Sequence, residues 1–338
     1  MKKIIKKISL ILSICLVITS IVACNKKEDN KQEQANGETK KITLVLDWTP
    51  NTNHTGFYVA KEKGFLKDKG IELEIVQPPE DGAEALVASG KAQFGISVQD
   101  MIAPAFAKDE PLPVSAVAAI IQHNTSGIIS MKDKNIVSPK DLENKKYATW
   151  DMPVEQSIIK TVMEKDGGDF NKLKLIPSTV TDVMTAIQTD VDAVWIFYAW
   201  DGVATKVKGL DTNFFSFKDI DEVFDYYTPM IIGNNKFMEE NEQLTKDFLD
   251  AVKQGYEYAI ENPEDAAEIL LKDNPELDKD IVVESQKWLK DNYKAEVERW
   301  GYIDQTRWDN FYKWLYENKL IEKEIPEGFG FTNDYLPE

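Results

Sequence analysis

Apolar and polar positions alternate along this chain in two rhythms, strand-like runs with a period of two and intervening segments with a helical period. The first apolar run, 42–46, is rich in β-branched residues and reads as a strand. It enters Asp47-Trp48-Thr49-Pro50-Asn51, where Pro50 has no N–H to offer a ladder and ends the strand. Asn53 or Thr55 can cap a helix over 56–63, Gly64 closes it, and 71–77 is a second strand stopped by Pro78-Pro79. The result is a β-loop-α-β unit whose most unusual side chains stand at the carboxyl end of its first strand. In open α/β sheets that end is where ligands sit. The alternative for this loop is that Trp48 fills the core while Asn51 and Asn53 make turn bonds.

Further α/β units follow. Strands are expected at 94–98, 114–121 and 127–131, with helices at 82–89, capped by Asp81, and 100–106, capped by Asp100. Ser138-Pro139 then starts a short helix and a second α/β set. Its strands are expected at 147–150, 173–176, 192–197 and 214–217, and its helices at 155–165 and 180–189. The segment 226–233 reads as a returning strand, and the chain is mostly helical from 239 onward. Trp308, Phe311, Tyr312 and Leu315 recur at helical spacing and read as a core-facing stripe. The fold class is therefore α/β in two lobes, with crossings near 127–131 and 226–233.

Length agrees, because 338 residues exceed what one ordinary core organises. The ends of the expected segments give a domain plan: 1–23 signal peptide, 24–40 tether, 41–130 first lobe, 131–227 second lobe, and 228–338 a return to the first lobe. Four lysines (Lys2, Lys3, Lys6, Lys7) precede the apolar run 8–22, which is short for a membrane span. Ile21-Val22-Ala23-Cys24 reads as a lipobox, with lipidation of Cys24 expected; an ordinary cleaved signal or an uncleaved anchor are the alternatives. Two acyl chains on that cysteine suffice for stable anchoring. Residues 26–40 carry no aromatic or branched aliphatic side chain and are expected to be a disordered tether reaching roughly 20 Å.

The other cysteine, Cys15, falls inside the signal, so no internal disulfide, thiol nucleophile or thiol metal cluster is expected. The formal charge of −18 argues against binding nucleic acid through its phosphates. There is no GxSxG, Walker loop, GxGxxG or HExxH, and the two histidines, His54 and His123, lie in separate loops. Neither a metal site nor a cofactor is expected, although composition leaves a glycosidase-like carboxylate pair open.

The candidate chemistry is a repeated pattern: strands end in loops of aromatic plus polar residues. Asp47-Trp48 with Asn51 and His54, the 97–99 segment with Gln99, the 122–124 segment with Asn124, the 150–155 segment with Trp150 and Glu155, and the 198–201 segment with Tyr198, Trp200 and Asp201 all fit it. Parallel strands would bring these loops to one rim of each sheet. Facing rims of aromatics and carboxylates suit a flat, nitrogen-rich ring. Stacking contributes about 0.5–1.5 kcal/mol beyond area burial, and a charge-assisted bond from a carboxylate about 1.5–3 kcal/mol.

The stretch LDWTPNTNHTGFYVAKEKGFLKDKGIELEI resembles the opening of the thiamine-pyrimidine family, supported by GISVQD, IIQHNTSG and FYAWDG. The resemblance runs from about Lys41 to the terminal FTNDYLP. It implies a two-lobed type II periplasmic-binding-protein fold with the ligand between the lobes. It also implies a monomeric, lipid-anchored solute-binding protein that delivers an aminopyrimidine, such as formylaminopyrimidine or hydroxymethylpyrimidine, to the permease and ATPase of an ABC importer. Trp48 and Asn51 match the D-W-x-P-N motif. Tyr198, Trp200 and Asp201 match a Y-x-W-acid motif in which the family often has Glu, so Asp201 is shorter by one methylene. Trp150 and Glu155 match the family's loop less tightly. The synthase branch departs, since no lysine lies between Gly95 and Met101 and no cysteine follows Tyr227-Thr228-Pro229. The same fold binding riboflavin or a sulfonate, or a surface enzyme, are the alternatives; arginine occurs only at Arg299 and Arg307, against a guanidinium clamp for a sulfonate.

Overall fold

A computed structural model describes residues 39–338 apart from 81 and 179. The expected signal peptide, Cys24, the tether as far as residue 38 and the Asp81 cap lie outside the described residues. In chain order come β1 (Lys40–Val45), α1 (Thr55–Glu62), α2 (Phe65–Asp68), β2 (Ile71–Val76), α3 (Gly82–Ala88), β3 (Phe94–Ser97), α4 (Gln99–Phe106) and β4 (Val114–Ala119). Then follow β5 (Ser126–Met131), β6 (Lys146–Thr149), α5 (Pro153–Lys165), β7 (Lys174–Pro177), α6 (Val183–Thr189), β8 (Ala193–Phe197), α7 (Val203–Val207) and β9 (Thr212–Ser216). The chain closes with β10 (Met230–Asn234), α8 (Asn235–Glu240), α9 (Glu242–Glu261), α10 (Pro263–Asp273), α11 (Lys279–Leu289) and α12 (Gln305–Glu317).

Two five-stranded sheets result, ordered β2-β1-β3-β10-β4 and β7-β6-β8-β5-β9. In the first, β10 alone runs antiparallel to its neighbours. In the second, β5 alone does. The parallel members therefore deliver the loops after β1, β3 and β4 to one edge of the first sheet, and those after β6 and β8 to one edge of the second. This is the shared rim that the repeated loop pattern required.

The change of sheet falls earlier than the sequence suggests. The strand at 127–131 was expected to form the crossing, with the first lobe running to 130, but β5 is hydrogen-bonded between β8 and β9 of the second sheet. Its continuous apolar run fits the centre of either sheet, so pattern alone could not place it. The crossing is the segment 120–125, apolar at Ile120 and Ile121 and polar from Gln122 to Thr125, and the return crossing is 217–229. The returning strand is also shorter than expected, starting at Met230.

Three apolar clusters hold these layers. One packs α1, α9, α10 and α11 on the first sheet, through residues such as Leu44, Phe57, Phe248 and Trp300. A second is continuous from α3, α4 and α12 to α5 and the inner face of the second sheet, through Phe106, Phe311, Phe224 and Tyr147. The expected stripe of Trp308, Phe311, Tyr312 and Leu315 is buried within it. The third lies between α6 and the outer face of the second sheet. Helices α1 and α9 cross closely where Gly255 meets the carbonyl of Gly56, an approach that a Cβ on residue 255 would block. The free edge of β4 is covered by the C-terminal segment: Ala116 N–H donates to Gly330 O at 2.8 Å and Thr332 N–H to Ala116 O at 2.9 Å, which protects it from pairing with another chain.

Candidate functional site

Where the two rims face each other lies a cavity of about 360 Å³, large enough for a single-ring ligand. From the first sheet come Asp47 after β1, Glu84 of α3, Ser97 at the end of β3, and Asp100 and Met101 of α4. From the second come Trp150, Met152 and Glu155 after β6, and Trp195 and Phe197 of β8; Tyr226, on the return crossing, completes the wall. No lysine or arginine is among the described residues lining it.

The apolar wall is built by packing. Trp195 rests on Phe217, ring centroids 4.3 Å apart, and Trp150 leans on Trp195 at 5.7 Å. Tyr226 stacks on Phe311 at 4.1 Å. Trp150, Met101 and Met152 remain solvent-exposed, with Trp150 42% open. Exposed large apolar side chains beside a concave acidic wall are groups a ligand would cover.

The acidic side is set by local hydrogen bonds. His54 is fully buried; its Nδ1 accepts the Asn51 N–H at 3.2 Å, so its Nε2 carries the proton and donates to Asp47 Oδ1 at 2.8 Å. The Ser97 hydroxyl donates to Glu84 Oε1 at 2.5 Å. Glu155, also buried, accepts from Tyr147 Oη at 2.6 Å, Thr149 Oγ1 at 2.9 Å and the Trp150 N–H at 3.0 Å. Burial pushes Asp100 up to about 6, partly offset by the N–H groups of Asp100 and Met101 at the start of α4. Desolvation disfavours the charged form when no cation compensates.

Several residues singled out in the sequence are committed elsewhere. Asn51 takes the Asn53 N–H on Oδ1 at 2.9 Å and donates to Thr49 O at 3.0 Å; His54 braces the same loop. Gln99 donates to Trp308 O and accepts the Tyr227 N–H, both at 2.9 Å, so it locks α4 to α12 and the return crossing. Asn124 donates to Phe224 O at 2.8 Å and accepts the Ser126 N–H at 2.8 Å, stitching the two crossings together. None of these four lines the cavity, because buried amides and imidazoles are drawn to unpaired backbone groups.

The 198–201 segment also differs from expectation. It is a wide helical turn, Tyr198–Gly202, rather than a loop. Tyr198 points away from the cavity, against Phe214 at 4.8 Å and Trp288 at 5.4 Å. Trp200 packs toward the cluster of the first sheet, and Ala199 O accepts from the Ser285 hydroxyl of α11. Asp201, pushed up to about 6 by burial, is outside the cavity. Trp48 is 54% exposed and outside the lining as well. Of the ten expected ligand residues, the cavity gathers Trp150 and Glu155, and Glu155 is occupied by its own loop.

Sequence reading missed Glu84, Asp100, Met101, Trp195, Phe197 and Tyr226 as lining residues. Asp100 had a visible signal, an acid directly after a strand in GISVQD, and was read as a cap. It sits instead in the first turn, with Val98 at the cap position.

The family model described as NMT1/THI5 like matches residues 51–266. The formylaminopyrimidine-binding protein of Halalkalibacterium halodurans is 28% identical over 96% of this chain and 98% of its own length. A 4-amino-5-hydroxymethyl-2-methylpyrimidine phosphate synthase of Legionella pneumophila is 26% identical over 88% of this chain and 93% of its own. Among solved structures, the alkanesulfonate-binding protein SsuA from Xanthomonas axonopodis pv. citri, bound to MOPS, superposes with a TM-score of 0.65. It has 11% identity and covers 88% of this chain and 99% of that one, a likeness of two-lobed fold alone.

Proposed function

Because this chain belongs to the NMT1/THI5-like family, we propose that it is the solute-binding component of an ABC importer and captures an aminopyrimidine related to thiamine. The observation that carries this reading is the cavity: aromatic and thioether side chains on one side, Asp47, Glu84 and Asp100 on the other, and no cation among its described lining. Such a wall accepts N–H groups and a flat ring, and it repels a sulfonate. The likeness of this chain to a protein named for formylaminopyrimidine binding points the same way.

Capture follows from two lobes joined by two short crossings. A ligand that touches both rims binds the closed arrangement better than the open one, and that difference drives closure. Binding rather than turnover fits the lining, whose described residues include neither lysine nor cysteine to act as a covalent nucleophile. The lipobox ending at Cys24 supports a lipid anchor on the outer face of the cytoplasmic membrane. No helix among the described residues is long and apolar enough to cross a membrane.

Isothermal titration of denatured and refolded protein, free of carried-over ligand, tests this. Tight binding of formylaminopyrimidine or 4-amino-5-hydroxymethyl-2-methylpyrimidine, with no heat from an alkanesulfonate, is expected. Absence of heat with both pyrimidines overturns the assignment, and turnover of either would move the protein to the enzymes.

A further inference from the structure

Most polar groups on the cavity wall already have partners. Asp47 holds the His54 proton, Glu84 the Ser97 proton, and Glu155 the donors of its own loop. Two groups do not follow this pattern. The indole N–H of Trp195, whose side chain is only 5% exposed and lines the cavity, has no acceptor among the described residues. Asp100 has neither an ion pair nor a side-chain donor among the described residues, and only the N–H groups of Asp100 and Met101 reach it. A buried donor without an acceptor and a desolvated acid without a cation both mark a place for a missing partner.

We propose that Asp100 and Trp195 read the edge of the ligand. Asp100 makes a two-point contact with an exocyclic amine and the adjacent ring nitrogen of an aminopyrimidine, one proton being held between carboxyl and ring. Trp195 donates to an acceptor elsewhere on the same ring or on its substituent. This deepens the proposed function and rests on it. It also moves the edge-reading carboxylate from Asp201, which the family resemblance implied, to Asp100. The carbonyl oxygen of Asp100 takes an amine N–H, and the shared proton satisfies the ring nitrogen, so both ligand atoms are paired out of water.

The groups facing Asp100 keep the proton in place. They are Glu84 from α3, Asp47 after β1, Glu155 from α5, and the buried phenols of Tyr226 and Tyr312. None is a cation, so an ionised Asp100 would add a further negative charge to an acidic wall. Above the pH at which Asp100 and the free ring have both lost the proton, the complex must take one up from solvent. Affinity then falls about tenfold per pH unit.

Titration of formylaminopyrimidine and 4-amino-5-hydroxymethyl-2-methylpyrimidine at pH 8, in buffers of different ionisation enthalpy, reads that proton directly. Uptake near one proton is expected for the native protein and for Asp201→Asn, and no uptake for Asp100→Asn, whose amide can copy the two contacts without titrating. Trp195→Phe keeps the ring and should weaken binding roughly tenfold with an unchanged melting temperature. Proton uptake that survives in Asp100→Asn, uptake lost in Asp201→Asn, or full affinity in Trp195→Phe overturns the assignment while leaving the importer role intact. A native protein that binds neither pyrimidine removes the importer reading and this one together.

Discussion

Asp47 accepts the Nε2 proton of His54 at 2.8 Å, and the same imidazole takes the Asn51 N–H on its other nitrogen. One buried ring therefore fixes both ends of the loop that brings a carboxylate to the cavity. His54→Ala leaves the Asn51 N–H without a partner in a dry site, a cost of about 1–3 kcal/mol. Urea unfolding should show that loss of stability, and pyrimidine affinity should fall with it because Asp47 is no longer held. Unchanged stability would show that the ring is dispensable to the loop.

Trp150 and Tyr198 separate the two readings of the site. Trp150 is 42% exposed on the cavity wall, whereas Tyr198 is packed against Phe214 and Trp288 outside it. Trp150→Ala should weaken ligand binding several-fold to tenfold, from lost stacking of about 0.5–1.5 kcal/mol, with little change in melting temperature. Tyr198→Ala should do the reverse, lowering the melting temperature with affinity retained. Equal affinity losses in the two variants would restore the rim expected from sequence.

Glu155 lies at the start of α5 with its oxygens filled by two hydroxyls and the Trp150 N–H. Glu155→Ala strands those donors and should cost about 2–3 kcal/mol in denaturant unfolding. The loop carrying Trp150 should loosen in the same variant, visible as increased tryptophan quenching by acrylamide.

The crossings predict a pH dependence. His123 donates from Nδ1 to Asp225 at 2.6 Å and from Nε2 to Glu296 at 2.9 Å, with the Arg307 guanidinium 3.6 Å from Asp225. Asp225 first, then Glu296, raise His123 above its ordinary 6.5, against the opposing effects of burial and Arg307. That stabilisation is complete below 6.5 and is lost as pH rises through the folded value. Glu296 is lowered from 4.5, chiefly by His123, so its share is present above 4.5 and is lost as pH falls through its folded value. Thermal melts should therefore show the pair at its strongest between these limits, and His123→Gln should flatten the decline toward pH 8. A decline that persists in the variant would place it in other groups.

Gly255 tests the helix crossing. An added methyl would meet the Gly56 carbonyl of α1, so Gly255→Ala should destabilise by about 1–3 kcal/mol through overpacking, although alanine is the better helix former. A melting temperature at or above that of the native protein would mean that the helices can part.

The strand and helix rhythm, the two α/β sets and the aromatic stripe of α12 were legible from side-chain periodicity, because each depends on local burial alternating along one segment. The motif around Asp47 and Trp48 was legible for the same reason, as a set of neighbours in sequence. The cavity lining was not. Whether Asn51, Gln99 and Asn124 face a ligand or the backbone depends on which orphan N–H and C=O groups lie within reach, and those come from segments two to 209 residues away.

By itself, then, the sequence determined an acidic α/β chain with an apolar leader pattern, polar rims at strand ends and a family resemblance across most of its length. The tertiary structure decided which sheet owns β5, which way the 198–201 turn faces, and which of the carboxylates without a cation lines the cavity. Periodicity records only whether a side chain is buried, while the identity of its neighbour is settled when distant strands and crossings pack together.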